Sequence, residues 1–423
     1  MNPYQKTVLS NGLRIISHPM KDRNSAAVGF WVGAGGRFED DRIKGAAHFL
    51  EHILFKGSKK YSCGEIKERI EGVGGSLNAF TSEEQTCYFA KIPHTHLELT
   101  MDILGDMVFH PLITKADVEK ESGVIIEEIK MYHDLPQSFV MELLDELMWP
   151  NHPLGKNLAG SVESISRMTH EDLRQFQRTH YSSSNVVLAA SGHLEHKTVV
   201  AWAEKRFGKL KSNSPQGFLE ASDQQDRPQI KFFRKEIEQM HLALGMVGLH
   251  YDHKDRYILA ILNVILGGNM SSRLFDEVRE KRGLAYSISS AAKFLKDTGL
   301  FMVRAGVDNK KIVEALQVIL QELEKIRQSQ VSRGELTRAK DYLLGQLQLG
   351  LEDTLDHMLW IGESMISLDR VRKLEEIMRD VKRVTLKDVQ RVANEILNRT
   401  HYNLSLVGPL TDDQEKDIRR LVE

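Results

Sequence analysis

A chain of 423 residues, 41% hydrophobic and 27% charged, is too long for one ordinary core, so two or three domains are expected. The formal net charge of −2 argues against nucleic acid or an anionic membrane as a partner, and there is no apolar run of about 18 residues to suggest a membrane span. Two cysteines, Cys63 and Cys87, are too few for a disulfide framework or a Cys-rich zinc site and suit a reducing, cytoplasmic compartment. The opening Met-Asn-Pro-Tyr-Gln-Lys lacks the charged head and apolar core of a signal peptide.

In chain order, residues 12–16 and 26–32 read as strands after turn signals. Gly33-Ala34-Gly35-Gly36-Arg37 is a loop leading to an apolar helix over 47–55. A helix over 63–73, ended by Gly74-Gly75, precedes strands at 77–80 and 86–91. Three helices follow: 94–109, with Leu97, Met101, Leu104 and Met107 on one side; 116–131, strongly charged; and 137–149, after Asp134-Leu135-Pro136. A helix at 171–179, a strand at 185–191 and a helix at 197–207 close this half. Residues 211–217, and on through 226–228, are polar and turn-rich, which makes 213–228 the expected linker.

The second half repeats the order. Strands at 230–233 and 241–247 lead to a helix at 255–266 ended by Gly267-Gly268. A helix at 272–282, strands at 284–291 and 299–306, and a helix at 310–326 come next. Helices at 332–349, 353–365 and 386–397, a strand at 402–407 and a helix at 412–421 end the chain. A duplication with a period of about 210 residues is therefore expected, with domains at 1–212 and 229–423. Each should be an α+β layer of sheet against helices. In the second copy the helix corresponding to 47–55 carries Tyr257-Ile258-Leu259-Ala260-Ile261-Leu262 and has no histidine.

The first copy's apolar helix reads Ala47-His48-Phe49-Leu50-Glu51-His52-Ile53-Leu54-Phe55, a His-x-x-Glu-His pattern. On a helix His48 and His52 stand one turn apart on one face, spaced to hold one zinc ion at roughly 2.0–2.1 Å from each imidazole. Glu51, beside them, can take a proton from water whose pKa the metal lowers to about 7. Phe49, Leu50, Ile53, Leu54 and Phe55 would bury the helix and hold the ligands still. A buried helix that merely carries two histidines is the plainer alternative, but two His and a Glu in an apolar run all need partners. Zinc that does chemistry wants a third protein ligand. The charged helix offers Glu119, Glu121, Glu127 and Glu128. Glu121 and Glu128 share a face, and Glu127 points about 100° away from Glu128. Periodicity does not choose among them, and any one Glu on such a helix can be plainly solvated. The pair His94-x-His96 and the single His110, His152, His180, His193 and His241 read as surface, loop or packed residues.

The stretch Lys44-Gly45-Ala46-Ala47-His48-Phe49-Leu50-Glu51-His52-Ile53-Leu54-Phe55-Lys56-Gly57 resembles the inverted-motif zinc peptidases of the pitrilysin family, in the branch around the mitochondrial processing peptidase. The resemblance continues through Gly74-Gly75-Ser76-Leu77-Asn78-Ala79-Phe80-Thr81 and Val124-Ile125-Ile126-Glu127-Glu128-Ile129. In the second half it covers Ser271-Ser272-Arg273-Leu274-Phe275 and Val278 to Ser287. Ser58 and Asn269 are mild departures away from the metal.

The resemblance implies a zinc endopeptidase that cleaves peptides or unfolded protein segments with one zinc per chain. It selects Glu128, 76 positions after His52, as the third ligand, and Glu121, seven positions earlier, as the group that supports the ligand shell. Glu51 becomes general base and later proton donor. Arg279 and Tyr286 become substrate-holding and carbonyl-polarising residues; without the resemblance they read as a solvated helix residue and a core aromatic. Asn78, Ala79 and Phe80 match an edge strand that takes an extended peptide. Two mainly antiparallel domains would form a half-shell, and short-chain members pair two such shells. A homodimer is thus implied, the zinc of one subunit meeting the Arg/Tyr pair of the other. The family also includes scaffold subunits that kept the fold and lost the chemistry.

Overall fold

In the computed structural model the first copy runs β1 (Gln5–Val8), β2 (Arg14–Pro19), β3 (Ser25–Val32), α1 (Ala46–Leu54), α2 (Cys63–Glu71), β4 (Ser76–Thr81), β5 (Thr86–Pro93), α3 (Leu97–Phe109), α4 (Lys115–Asp134), α5 (Pro136–Met148), α6 (Val162–Arg167), α7 (His170–His180), β6 (Val186–Gly192) and α8 (His196–Phe207). The second runs β7 (Gln229–Arg234), β8 (Gln239–Val247), α9 (Arg256–Leu266), a π-helical segment Phe275–Glu280, β9 (Ala285–Phe294), β10 (Gly299–Asp308), α10 (Ile312–Gln328), α11 (Arg333–Gly350), α12 (Thr354–Leu368), α13 (Leu374–Arg383), α14 (Leu386–Ile396), β11 (Asn403–Gly408) and α15 (Asp412–Val422). The structure describes residues 3–214, 216–223 and 225–423. Met1 and Asn2 of the opening segment, and Pro215 and Gln224 of the expected linker, lie outside the described residues.

Among the described residues the strands form two sheets, in the orders β1-β2-β6-β3-β5-β4 and β7-β11-β8-β10-β9. Leaving out β1, the two orders correspond strand for strand. Even the one parallel pair falls in the same place, β2 beside β6 and β7 beside β11, while the other pairings are antiparallel. The duplicated α+β architecture expected from the element order is the one observed, and its sheets are mainly antiparallel, as the resemblance implies.

Each sheet is covered on both faces, which is why β6 is buried along its whole length. Val28, Phe30, Leu188 and Ala190 face the layer containing Phe49 of α1, Leu104 of α3 and Leu173 of α7. On the other side, Ala27, Trp31, Val187 and Ala189 pack against Met358, Ile361 and Met365 of α12. The second sheet's Ala243, Leu300 and Val407 pack against Phe139, Val140, Leu143 and Leu144 of α5. The copies have therefore exchanged a helix.

The compact units accordingly depart from the contiguous boundaries 1–212 and 229–423. One comprises the chain through Ile129, Asn157–Leu219 and Gln348–Lys373; the other comprises Lys130–Lys156, Glu220–Leu347 and Leu374–Glu423. An amphipathic pattern marks which face of α5 or α12 is buried, but not which sheet receives it.

Local departures have local causes. The helix expected from residue 94 begins at Leu97, after a tight turn His94–His96. The helix expected over 272–282 is wound more widely, with Lys281 N–H donating to Asp276 O at 2.9 Å. β1 and α6 are short and carry little apolar pattern, β1 burying none of its four residues, whereas α13 has Leu374, Ile377, Met378 and Val381 at helical spacing and buries Ile377 and Val381, a signal the sequence reading passed over. No helix among the described residues is long and apolar enough to cross a membrane.

Candidate metal centre

Helix α1 opens at Gly45, whose φ of +98° is left-handed and whose missing Cβ would lie 2.6 Å from Ala159 O. Glycine has no side chain to cap the helix, and Glu39 does so from six residues upstream. Its carboxylate accepts from Gly45 N–H at 2.9 Å and Ala47 N–H at 2.6 Å, and Lys44 Nζ lies 3.2 Å away. Ala46, Ala47, Phe49, Leu50, Ile53 and Leu54 are buried, which fixes the rotation of the helix and leaves His48, Glu51 and His52 half-buried on the other side.

Glu39→Ala should remove both amide acceptors and the partner of a buried ammonium. The expected cost is about 3 kcal/mol of unfolding free energy in urea titrations, together with weaker zinc uptake. Unchanged stability would show that the cap is dispensable.

Helix α4 buries Val118, Glu121, Ile125 and Ile129 and brings Glu128 to the two imidazoles. His48 Nε2 is 3.8 Å from Glu128 Oε1, and His52 Nε2 is 3.5 Å from Glu128 Oε2. Ligand atoms about 2.1 Å from a tetrahedral metal stand about 3.4 Å apart, so the three groups already have the spacing of a coordination shell. Among the described residues this is the one group of three or more His, Cys, Asp or Glu whose ligand atoms converge, all within 4.8 Å of one another.

The donor chemistry fits zinc. Two imidazoles and one carboxylate leave a tetrahedral position open. Burial, then the neighbouring His52, pushes the His48 imidazolium down to about 4, which keeps that ring neutral as ligation requires. Glu121 Oε1 lies 3.0 Å from His52 Nδ1 and Lys56 Nζ lies 2.6 Å from Glu121 Oε2. With Nδ1–H donating to Glu121, the Nε2 lone pair of His52 faces Glu128. Burial alone would raise the Glu121 pKa, but the bonds from Lys56 and His52 hold it below the usual carboxylate value.

Glu51 is not among the converging three. Thr81 Oγ1, at the end of β4, donates to its Oε2 at 2.6 Å. Burial raises the Glu51 pKa, and the Thr81 bond works against that rise. The result is a carboxylate with some basicity, held next to the ligands.

β4 is a sheet edge, pairing with β5 alone among the described residues. Asn78 is exposed, and its Oδ1 accepts from Ala79 N–H at 2.8 Å. The Phe80 ring packs edge-on against Trp31 with centroids 5.5 Å apart and leans on Phe89. Phe80 is thus partly core, with only its backbone on the edge. In the other unit, Arg279 lies over the Phe275 ring at 4.7 Å and 5.8 Å from the Tyr286 ring centroid. Tyr286 is 75% exposed at the start of β9. The pair is therefore formed, and Tyr286 is not a core aromatic.

The remaining histidines lie elsewhere. His94 stacks on His193 at 4.1 Å. His152 accepts from Leu154 N–H at 3.1 Å, and His110 Nδ1 is 3.2 Å from Asp106. His180 is buried between Phe38 and Phe176, and His241 stands half-buried in β8. Sequence reasoning missed Glu39, Lys56 and Thr81. Lys56 sits four residues after His52, within reach as a signal. Glu39 and Thr81 have none, because their partners are set by loop and strand geometry.

A His-x-x-Glu-His helix facing a carboxylate on a second helix, within one copy of a duplicated α+β fold, defines the inverted-motif zinc peptidases as the class. Residues 14–162 match Insulinase (Peptidase family M16), and residues 167–343 match the Peptidase M16 inactive domain. The chain belongs to the M16, or pitrilysin, family of peptidases. It is 37% identical over 416 residues to an uncharacterized zinc protease of Streptomyces coelicolor, covering 97% of this chain and 90% of that one. It is 35% identical over 399 residues to the uncharacterized zinc protease YmxG of Bacillus subtilis, covering 94% and 97%. In fold it is similar to a crystal structure of a protease from Helicobacter pylori, with a TM-score of 0.90 and 24% identity over 96% of this chain and 99% of that one. A peptidase M16 inactive domain from Pseudomonas fluorescens gives a TM-score of 0.89 and 20% identity, covering 97% and 99%.

Proposed function

We propose that this chain is a zinc-dependent endopeptidase acting on peptides or unfolded protein segments. The observation that carries the reading is the convergence of His48, His52 and Glu128 with Glu51 held beside them. Zinc, where these three residues hold it, supplies Lewis acidity that makes water more acidic and polarises a peptide carbonyl. Glu51 accepts the proton of the attacking water and later gives it to the leaving amine. Thr81 fixes one oxygen of Glu51 and so aims the other. Glu121, braced by Lys56, keeps His52 in its ligand tautomer. Tyr286 O–H donates to the substrate carbonyl or the developing oxyanion, and Arg279 holds the chain. The outer edge of β4 at Asn78, Ala79 and Phe80 adds the substrate as an extended strand, which reads backbone more than side chains.

The relatives named as zinc proteases support this reading. A catalytically silent scaffold is the alternative, and no position of the motif is empty in its favour. We further propose one zinc per chain and a homodimer in which the metal centre of one subunit meets Arg279 and Tyr286 of the other. The free Cys63 and Cys87 suit a reducing, cytoplasmic setting.

Metal analysis together with cleavage of a quenched peptide tests the proposal. Zinc near one per chain, and hydrolysis lost to a chelator and restored by zinc, are expected. Zinc far below one per chain would leave the scaffold. Mixing Glu51→Gln chains with Tyr286→Phe chains tests the sharing of sites: part of the rate should return, and no recovery would end the trans arrangement.

A further inference from the structure

Residues 213–228 read as a linker, yet part of that stretch is tied down. Phe218 and Leu219 are the only large apolar residues between Leu210 and Ile230, and both belong to the first compact unit. The Phe218 ring covers the Arg37 guanidinium at 4.0 Å and meets the Phe38 ring edge-on at 5.9 Å. Arg37 Nε and Nη2 donate to Leu219 O at 3.2 and 2.8 Å, and Nη1 donates to Glu84 Oε1 at 2.7 Å. The Leu219 side chain is left 59% exposed, so the contact uses its carbonyl.

Arg37 and Glu84 are buried, at 2% and 5% exposure. Taking two charges out of water is costly, and apolar residues of similar size often stabilise as well as such a pair. Stability alone therefore does not account for it; the pair sets a geometry. What it sets is the turn between β4 and β5. At Gly35 the loop comes so close to this turn that a Cβ would lie 2.0 Å from Ser82 O. Gly36 N–H donates to Ser82 O at 3.1 Å, Arg37 N–H to Glu83 O at 2.7 Å, and Thr86 Oγ1 to Ala34 O at 3.0 Å. β4 has a neighbouring strand on one side only among the described residues, so its last residue, Thr81, is placed by the turn. Thr81 holds Glu51 through its hydroxyl, at 2.6 Å, and through its backbone N–H. A continuous run of contacts thus joins Leu219 O, Arg37, Glu84, the turn, Thr81 and Glu51.

We propose that Phe218 and Leu219 form a strap, and that Arg37 is the positioning residue through which this strap holds the β4–β5 turn and keeps Thr81 on Glu51. The end of the linker is then a working part of the metal centre, although it touches neither a metal ligand nor the general base. The kinetic part of this inference rests on the peptidase reading; the hold on the turn does not.

The test uses the zinc-loaded full chain. Phe218→Ala removes the ring over Arg37. Its kcat should fall by about tenfold, as it does when a catalytic group is slightly misplaced, with KM and zinc content unchanged. Amides of residues 81–86 should exchange with deuterium about tenfold faster, while those of α7 and β6 keep the unsubstituted rate. Phe218→Tyr keeps the ring and should restore both readings. Arg37→Gln with Glu84→Gln, which removes both charges together, should lower kcat at least as far. An unchanged kcat in Phe218→Ala overturns the proposal. So does a lower kcat with uniformly faster exchange, which would be general loosening of the unit.

If the unsubstituted protein hydrolyses no peptide, the peptidase reading fails, and the strap is judged on exchange alone. Acceleration confined to residues 81–86 upholds its hold on the turn, and unchanged or uniform exchange rejects it.

Discussion

Glu51→Gln should abolish peptide hydrolysis while zinc stays bound. The substitution keeps the shape of the side chain, and Thr81 O–H can still donate to the amide oxygen in place of Oε2. The converging ligand atoms belong to His48, His52 and Glu128, so the metal loses no contact. What disappears is the group proposed to accept the water proton and pass it to the leaving amine. Such transfers are worth about 10²–10⁴ in rate, and the proposed mechanism gives two of them to this one residue. A fall in kcat of about 10³ or more is expected, read by a quenched-peptide assay alongside metal analysis. A variant retaining a tenth of the rate would mean that the base is another group.

Glu128→Ala should cost the metal itself. Two imidazoles remain, and a tetrahedral site is left with half of its positions filled by protein. After dialysis the variant should hold essentially no zinc and show no hydrolysis. Glu121→Gln provides the contrast. It removes the charge that His52 Nδ1 and Lys56 face at 3.0 and 2.6 Å without removing a ligand. Its expected effect is a zinc affinity lower by about 10–100-fold, with hydrolysis returning at saturating zinc. If both variants lost zinc equally, the distinction between ligand and support would be wrong. If Glu128→Ala kept it, the third ligand would lie elsewhere.

The candidate centre was legible to different depths. His48, Glu51 and His52 announce themselves, because helical spacing puts them on one face and their apolar neighbours fix its rotation. Glu128 could be narrowed only to a set of carboxylates on a charged helix. Which carboxylate arrives depends on how α4 packs, through Val118, Ile125 and Ile129, and only the resemblance selected it beforehand. Tyr286 misled as a residue type: an aromatic at the start of a strand reads as core, yet this one is 75% exposed on an edge. Phe80 was read only as part of an edge strand, and that its ring packs against Trp31 was not foreseen.

Chain order alone determined that there are two copies of one α+β design, and that a single one of them carries the His-x-x-Glu-His helix. Periodicity and turn residues are local properties, and local sequence encodes them directly. Tertiary structure alone decided that α5 and α12 change sheets, that Glu39 caps α1, and that Thr81 holds Glu51. These pairings join residues far apart in the chain or in separate elements. They are chosen by which apolar face finds which surface, and burial free energy depends on the area covered rather than on which copy the residues come from.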